Sequence, residues 1–248
     1  MIGVLDSGIG GLSIYRELKR KFPDKAVIYF ADKANFPYGE KTDAELLAIV
    51  RTAVRTLQDY GANIVVLACN SATVATVRTI RSEFDIPIVG IEPAVKQAGQ
   101  ETKTGKIGIL ATKRTLLDHE GEGLAPGCEL IRSHNGALIA KIEQDIASVT
   151  DQDLRIAMEP FCVAGVDAVV LGCTHYHFVK DRLQKLYPNM LFFAPDTEVA
   201  NRVEAVISEK NIELAPGNDI YLCSADSEGF AKSLNNLLGI SDADIREV

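Results

Sequence analysis

The chain has 248 residues, of which 47% are hydrophobic and 24% charged, so it is too apolar for a disordered protein. Its formal net charge of -8 argues against binding nucleic acid by neutralising phosphates. No stretch approaches the roughly 20 uninterrupted apolar residues of a membrane span, and Met1 is followed directly by IGVL, without a basic signal region. We therefore expect a cytoplasmic protein with no membrane or nucleic-acid partner.

The first 92 residues alternate short apolar runs with longer segments of helical period. The runs are IGVL, VIYFAD, NIVVLACN and IPIVGIE, and LSIYRELKRKF, DAELLAIVRTAVRTLQDYG and SATVATVRTIRSEF lie between them. Apolar runs that are continuous, and do not alternate with polar residues, indicate strands buried on both faces. This pattern predicts an α/β fold in which helices flank a mostly parallel sheet.

The pattern restarts at Lys106 with KIGILAT, GCELIRS, a helical stretch from about Gly136 to Gly165, DAVVLGCTH and MLFFAPD. A helix, a turn, a last strand (IYLCSA) and a last helix follow Glu198 and have no counterpart in the first half. We expect this tail to return to the first domain. The predicted domains are 1–92 plus 202–248, and 93–201.

The two halves look like copies of one another. Three strand ends repeat at nearly one offset: Leu5 and Leu110 are 105 residues apart, Cys69 and Cys173 are 104 apart, and Glu92 and Asp196 are 104 apart. Matches in order at a nearly constant offset indicate an internal duplication. In open parallel sheets ligands bind beyond the carboxyl ends of the strands, which is where both cysteines lie.

Five cysteines are scattered along the chain, without a CxxC pair or a zinc-ligand spacing, so neither a disulfide framework nor a structural metal is predicted. Cys69 and Cys173 lie at the repeated strand ends. Cys128, Cys162 and Cys223 do not, and they are expected to be structural. If the two halves face each other, one thiolate can take a proton from a carbon stereocentre while the opposite thiol returns one. Helix N-termini that follow the strands would favour the thiolate at each cysteine.

Six motifs resemble those of glutamate racemases in order and spacing. They are DSGIGGLS (6–13), FPYGEK (36–41), ACNSAT (68–73), GIEPAVK (90–96), LATKRT (110–115) and GCTHYH (172–177). The similarity continues to the closing SADSEGFAKSLNNLLG and so covers essentially the whole chain. This family, in the cofactor-independent aspartate/glutamate racemase superfamily, implies two pseudosymmetric α/β domains with the active site in the cleft between them. It also implies no cofactor, glutamate as substrate, a role in peptidoglycan synthesis and a homodimer.

The resemblance also implies roles for individual residues. Cys69 matches the base for D-glutamate and Cys173 the base for L-glutamate; Asp6 would assist Cys69, while His175 and Glu143 would assist Cys173. The residues that match substrate-binding positions are Ser7, Pro37, Tyr38, Gly39, Asn70, Ser71, Thr112, Thr115 and Thr174.

Three departures from the family pattern bear on these roles. Ser71 replaces a threonine and keeps its hydroxyl, whereas His177 replaces the proline of the usual THYPL. NGALIAKIE stands where the family usually reads like CPxFVPLVE, and Glu143 aligns with the final glutamate of that segment. Two alternatives follow: a racemase of the same fold for aspartate or another amino-acid derivative, or a noncatalytic amino-acid-binding homologue. PYGEK and GCTHY favour glutamate as the substrate.

Overall fold

The structure, a computed structural model, describes residues 1–118 and 124–248. Contacts divide the chain into two compact units, Met1–Ile91 with Asp196–Val248, and Glu92–Pro195. In these described ranges, no helix has the length and apolar character needed to cross a membrane.

The strands and helices are numbered in chain order. The strands are β1 (Ile2–Asp6), β2 (Val27–Ala31), β3 (Ile64–Leu67), β4 (Ile88–Gly90), β5 (Lys106–Ala111), β6 (Glu129–Ser133), β7 (Ala168–Gly172), β8 (Leu191–Phe193), β9 (Ile220–Cys223) and β10 (Ile245–Glu247). The helices are α1 (Leu12–Lys21), α2 (Asp43–Asp59), α3 (Asn70–Glu83), α4 (Val95–Glu101), α5 (Lys113–Asp118), α6 (Gly136–Asp145), α7 (Asp151–Ala164), α8 (Thr174–His177), α9 (Lys180–Leu186), α10 (Asp196–Glu209) and α11 (Ser227–Leu238).

Each unit contains one parallel sheet. The order is β10-β9-β2-β1-β3-β4 in the first unit and β6-β5-β7-β8 in the second. The order β2-β1-β3-β4 is therefore repeated as β6-β5-β7-β8, with the strands that precede the two cysteines in equivalent places. This repetition is what the common sequence offset predicts, and the α/β fold of parallel sheets flanked by helices is confirmed.

The central strands are buried on both faces, in agreement with their continuous apolar sequences. Every residue of β1, β2, β3 and β7 is buried, as expected of strands that are covered on both faces. The longest helix, α2, buries Leu46, Val50, Val54 and Leu57, which recur on one face at helical spacing. Thr42 caps its N-terminus. The carboxyl ends of the strands are thereby fixed on a rigid scaffold.

The tail completes the first unit. β9 pairs in parallel with β2, bringing Cys223 opposite Ala31, and β10, which the sequence did not predict, pairs with β9. Contacts also place α10 in the first unit from Asp196 onward, earlier than the boundary at residue 202 expected from the sequence. Lys21 on α1 binds both Asn201 and Glu204 on α10.

The helical stretch expected from Gly136 to Gly165 is two helices, so that prediction is wrong in its middle. A 3-10 turn at Ile146–Ser148 follows α6, and α7 begins afresh at a capping box formed by Thr150 and Asp153. Asp145 caps the turn by accepting the Ala147 N–H. The side chains of Asp145, Thr150 and Asp153 accept backbone N–H groups here, as polar residues do where a helix ends and another begins.

Candidate active site

Cys69 follows β3 and is the N-cap residue of α3, a helix of 14 residues. Its backbone is extended, with φ -82° and ψ 122°, and the residue is 8% exposed. The sulfur therefore sits at the positive end of a long helix dipole, which favours negative charge there. This placement suits a thiolate that accepts a proton.

Tyr38 is buried and donates a hydrogen bond over 2.6 Å to Oδ2 of Asp32. Burial raises the pKa of Tyr38 well above its ordinary value, and the Asp32 carboxylate raises it further, with smaller contributions from Cys69 and Asp6. The phenol is therefore neutral, and Cys69 and Asp6 lie within electrostatic reach of it. The structure thus brings three residues predicted for the site together: Asp6, Tyr38 and Cys69.

Asp32, which sequence reasoning missed, is the centre of a buried network. Its carboxylate accepts hydrogen bonds from Tyr38, from the Asn35 amide (2.9 and 3.1 Å) and from the Ser224 hydroxyl (2.7 Å). Ser224 also accepts the Ala34 N–H over 3.0 Å. The tail after β9 thereby fixes the loop after β2. A strand-end signal for Asp32 exists in VIYFAD, the run that it closes.

Pro37 and Gly39 lie on this loop and are half-buried. The Phe36-Pro37 peptide bond is cis, and Tyr38–Glu40 forms a 3-10 turn. Lys33 pairs with Asp226 of the tail over 2.8 Å. This ion pair holds the start of the loop against the tail of the same unit.

Ser7 is almost completely buried, and Asp6, the last residue of β1, is completely buried. Its Oδ1 accepts the Gly8 N–H over 2.9 Å, so Asp6 supports the turn into α1, whose N-cap is Gly11. A Cβ at Gly11 would lie 2.8 Å from the Cβ of Asp6, which explains why glycine stands there. The carboxylate is thus held against the turn that follows it.

Asn70 and Ser71 open α3 and are 2% and 1% exposed. Among the described residues, neither Nδ2 nor Oδ1 of Asn70 has a hydrogen-bond partner. A buried amide without partners is costly and calls for an explanation such as a ligand that supplies them. Asn70 is therefore suited to bind a molecule that offers both a donor and an acceptor.

In the second unit, Cys173 follows β7 and contacts His175. Its Sγ lies 3.7 Å from Nδ1 of His175, and Nε2 of the same ring lies 2.8 Å from Oε2 of Glu143. All three residues are buried. The structure thus joins the residues predicted to assist Cys173 into one chain of contacts: sulfur, imidazole and carboxylate.

His175 supplies the positive charge on this side. Burial on its own lowers the pKa of His175, but the hydrogen bonds to Cys173 and Glu143 outweigh burial and hold the pKa well above its ordinary value. The helix after Cys173, α8, has only four residues, so the helix dipole expected from the sequence is short here. An imidazolium beside the sulfur takes its place.

The unusual NGALIAKIE segment builds the support for Glu143. It forms α6, which Asn135 caps by accepting the Leu138 N–H over 3.0 Å. The Tyr176 hydroxyl donates to the Asn135 carbonyl over 3.0 Å and links α6 to α8. The departure from the family sequence therefore keeps a glutamate in contact with His175.

Three predicted threonines of the second unit are also buried: Thr112, Thr115 on α5, and Thr174. Thr112 follows β5 and accepts the Thr115 N–H over 3.1 Å, and the two hydroxyls lie 3.0 Å apart. Thr174 follows Cys173 and opens α8. Within the part of the chain that the structure describes, no cluster of three or more His, Cys, Asp or Glu side chains could hold a metal ion.

The sequence model of the family described as Asp/Glu/Hydantoin racemase matches residues 2–196. The glutamate racemase of Stutzerimonas stutzeri (strain A1501) is 35% identical over 248 residues, covering 96% of this chain and 94% of that protein. The crystal structure of Escherichia coli glutamate racemase in complex with L-glutamate and activator UDP-MurNAc-ala has a TM-score of 0.88 at 28% identity and covers 99% and 97% of the two chains. Isoform RacE1 from Bacillus anthracis has a TM-score of 0.86 at 25% identity and covers 100% and 97%. The chain therefore belongs to the Asp/Glu/Hydantoin racemase family.

Proposed function

We propose that the protein is a glutamate racemase that interconverts L- and D-glutamate by a two-base mechanism without a cofactor. The observation that carries the proposal is the equivalence of the two cysteines. Cys69 and Cys173 each follow the third strand of a repeated four-strand order and are each the N-cap residue of the next helix. Relatives at about one-third identity along nearly the whole chain are named glutamate racemase, which favours glutamate over aspartate as substrate.

In the direction from L to D, the Cys173 thiolate takes the α-proton of L-glutamate. The electron pair of the broken C–H bond stays on the substrate as a carbanion delocalised into the α-carboxylate. The Cys69 thiol then gives its proton to the opposite face, which forms D-glutamate and leaves Cys69 as thiolate. In the reverse direction the two sulfurs exchange roles, as general acid–base catalysis requires.

The neighbours of each sulfur have distinct tasks. His175 lies 3.7 Å from Cys173 and, as an imidazolium, stabilises its thiolate, while Glu143 orients the ring and stabilises its charge. Asp6, which is completely buried in the same half as Cys69, assists proton transfer at that sulfur. Tyr38 stays neutral and adds no charge near Cys69.

The substrate would be held by short polar side chains and loop backbone. Asn70 has the clearest support, because its buried amide has no partner among the described residues. Its amide would donate to a substrate carboxylate and accept from the ammonium group. The same task is proposed for Ser7, Ser71, Thr112, Thr115 and Thr174, with Pro37, Tyr38 and Gly39 forming a wall of the site.

The product would supply D-glutamate for peptidoglycan synthesis in the cytoplasm, and the protein would act as a homodimer. These three points rest on the family resemblance. Sedimentation of the purified protein tests the dimer, because a monomer at working concentration would contradict it.

A chiral assay in D2O tests the reaction. Starting from pure L- or D-glutamate, the parent protein should form the other enantiomer with deuterium at the α-carbon, and L-aspartate should turn over far more slowly. C69A and C173A should each lose racemisation, whereas C162A, which changes an exposed cysteine, should keep it. Racemisation that survives C69A and C173A would contradict the mechanism, and glutamate binding without loss of optical rotation would favour a noncatalytic homologue.

A further inference from the structure

The side chain four residues after each cysteine binds the carbonyl two residues before it. Thr73 Oγ1 donates over 3.0 Å to the Leu67 carbonyl. His177 Nε2 lies 3.1 Å from the Leu171 carbonyl. Thr73 and His177 are themselves 104 residues apart, the same offset as the two cysteines. The two halves thus contain the same contact, made with different side chains.

Both contacts are buried, with Thr73 at 2% and His177 at 6% exposure. Because a carbonyl oxygen only accepts, Nε2 of His177 carries the proton in this contact. The Leu67 carbonyl also accepts the Ile91 N–H over 3.3 Å, so Thr73 is the second donor to this oxygen.

Each hydrogen bond closes a loop around its cysteine. The strand end is joined to the first turn of the following helix, and the cysteine lies between the two joined points. Cys69 and Cys173 both have an extended backbone (φ -82° and -146°), and Sγ of Cys173 also lies 3.7 Å from Nδ1 of His175. The hydrogen bond that spans each turn holds the backbone from which the sulfur projects, and so contributes to the direction of the sulfur.

The packing around Thr73 shows how little freedom this turn has. Its hydroxyl also accepts the Ile91 N–H over 3.2 Å, so it links β3 to the residue after β4. A Cβ at Gly90 would lie 2.5 Å from the Thr73 methyl group, which only glycine avoids. Thr73 is thus held by its hydroxyl and its methyl group together.

We propose that Thr73 and His177 are positioning residues, which set the direction of the Cys69 and Cys173 sulfurs respectively. The proposal deepens the proposed racemase function and rests on it for the kinetic effects.

Paired variants separate the hydrogen bond from side-chain volume. T73S and H177Q keep a donor of similar reach, whereas T73V and H177L remove it at similar size. Where H177L fails to fold, H177P replaces it, because proline is the family's usual residue there. Thermal unfolding of each variant identifies those that are folded under assay conditions.

The first readout needs no activity. The hydrogen bonds to Cys173 and Glu143 keep the pKa of His175 raised, and NMR titration of labelled histidines follows it. In H177L the pKa of His175 should fall as the Cys173 contact loosens, and H177Q should restore it. T73V, which changes the other half, should leave it at the parent value.

The second readout is kinetic. Small misplacement of a reacting group costs up to about 100-fold in rate, so we expect T73V and H177L to lower kcat at least about ten-fold with little change in KM. In H177L the deuterium isotope effect on kcat/KM should rise with α-deuterated L-glutamate and fall with α-deuterated D-glutamate. T73V should show the mirror image, and T73S and H177Q should recover activity.

Two results would overturn the proposal: an unchanged pKa of His175 in both H177L and H177P, or isotope effects that change alike for the two enantiomers in T73V and H177L. Donor-keeping variants as impaired as the donor-free ones would also overturn it. If the parent protein does not racemise glutamate, the proposed function fails, and the NMR comparison alone then decides the positioning role.

Discussion

Oε2 of Glu143 lies 2.8 Å from Nε2 of His175, and both side chains are at least nine-tenths buried. A carboxylate on one ring nitrogen fixes the plane of the imidazole and favours its charged form. The other ring nitrogen then faces Cys173. The contact explains how a glutamate on α6 bears on the charge next to the Cys173 sulfur.

Replacing Glu143 by Gln should therefore act through His175. We expect the pKa of His175 to fall toward its ordinary value and kcat to drop by roughly 100-fold, the lower end of the range for general acid–base catalysis. NMR titration and steady-state kinetics in both directions measure the two effects. E159Q, the same change on the exposed face of α7, is the control. An unchanged pKa of His175 in E143Q would contradict this account.

The same contact predicts how stability depends on pH. The folded-state pKa of His175 is raised above its unfolded value, so protonation stabilises the fold. This stabilisation is fully present below about pH 6.5, the unfolded value, and is lost as the pH rises through the folded-state pKa. The excess free energy of unfolding of the parent over E143Q should thus shrink from pH 6 to pH 9. Urea unfolding measures it, and a difference that grows with pH would refute it.

The sequence predicted strands β1 to β9 and singled out both cysteines because their signals are local. Continuous apolar runs mark buried parallel strands, and a constant offset places Cys69 and Cys173 at equivalent ends. Asp32 shows where this reasoning stops, because Ser224 reaches it from 192 positions away. Hydrophobic periodicity does not say which strand pairs with β2, so a network built by the return of β9 is invisible without the fold.

Replacing Asp32 by Asn should destabilise the protein. Both oxygens of the Asp32 carboxylate accept hydrogen bonds, four in total. In Asn an NH2 group replaces one of these oxygens and would face a donor. We expect D32N to lower the free energy of unfolding by about 1–3 kcal/mol, the usual cost of a buried unmatched donor. KM for glutamate should rise because Tyr38 loses its support. Urea unfolding measures the stability and steady-state kinetics measure KM, with D24N, a change at an exposed position, as control. An unchanged KM would show that Asp32 does not support the loop through which Tyr38 is proposed to contact substrate.

Replacing Asn70 by an apolar residue should raise the stability of the protein while it weakens glutamate binding. Its buried amide has no partner among the described residues, so an apolar side chain of similar size removes a desolvation cost without breaking a bond. N70L should be more stable than the parent by about 1 kcal/mol, because a buried unsatisfied group typically costs 1–3 kcal/mol. Adding glutamate should raise the unfolding temperature of the parent much more than that of N70L, since only the parent can offer the amide to the ligand. N236L, an exposed change on α11, controls for added apolar surface. If N70L without glutamate is less stable than the parent, the amide has a structural task and the proposed contact with substrate loses its support.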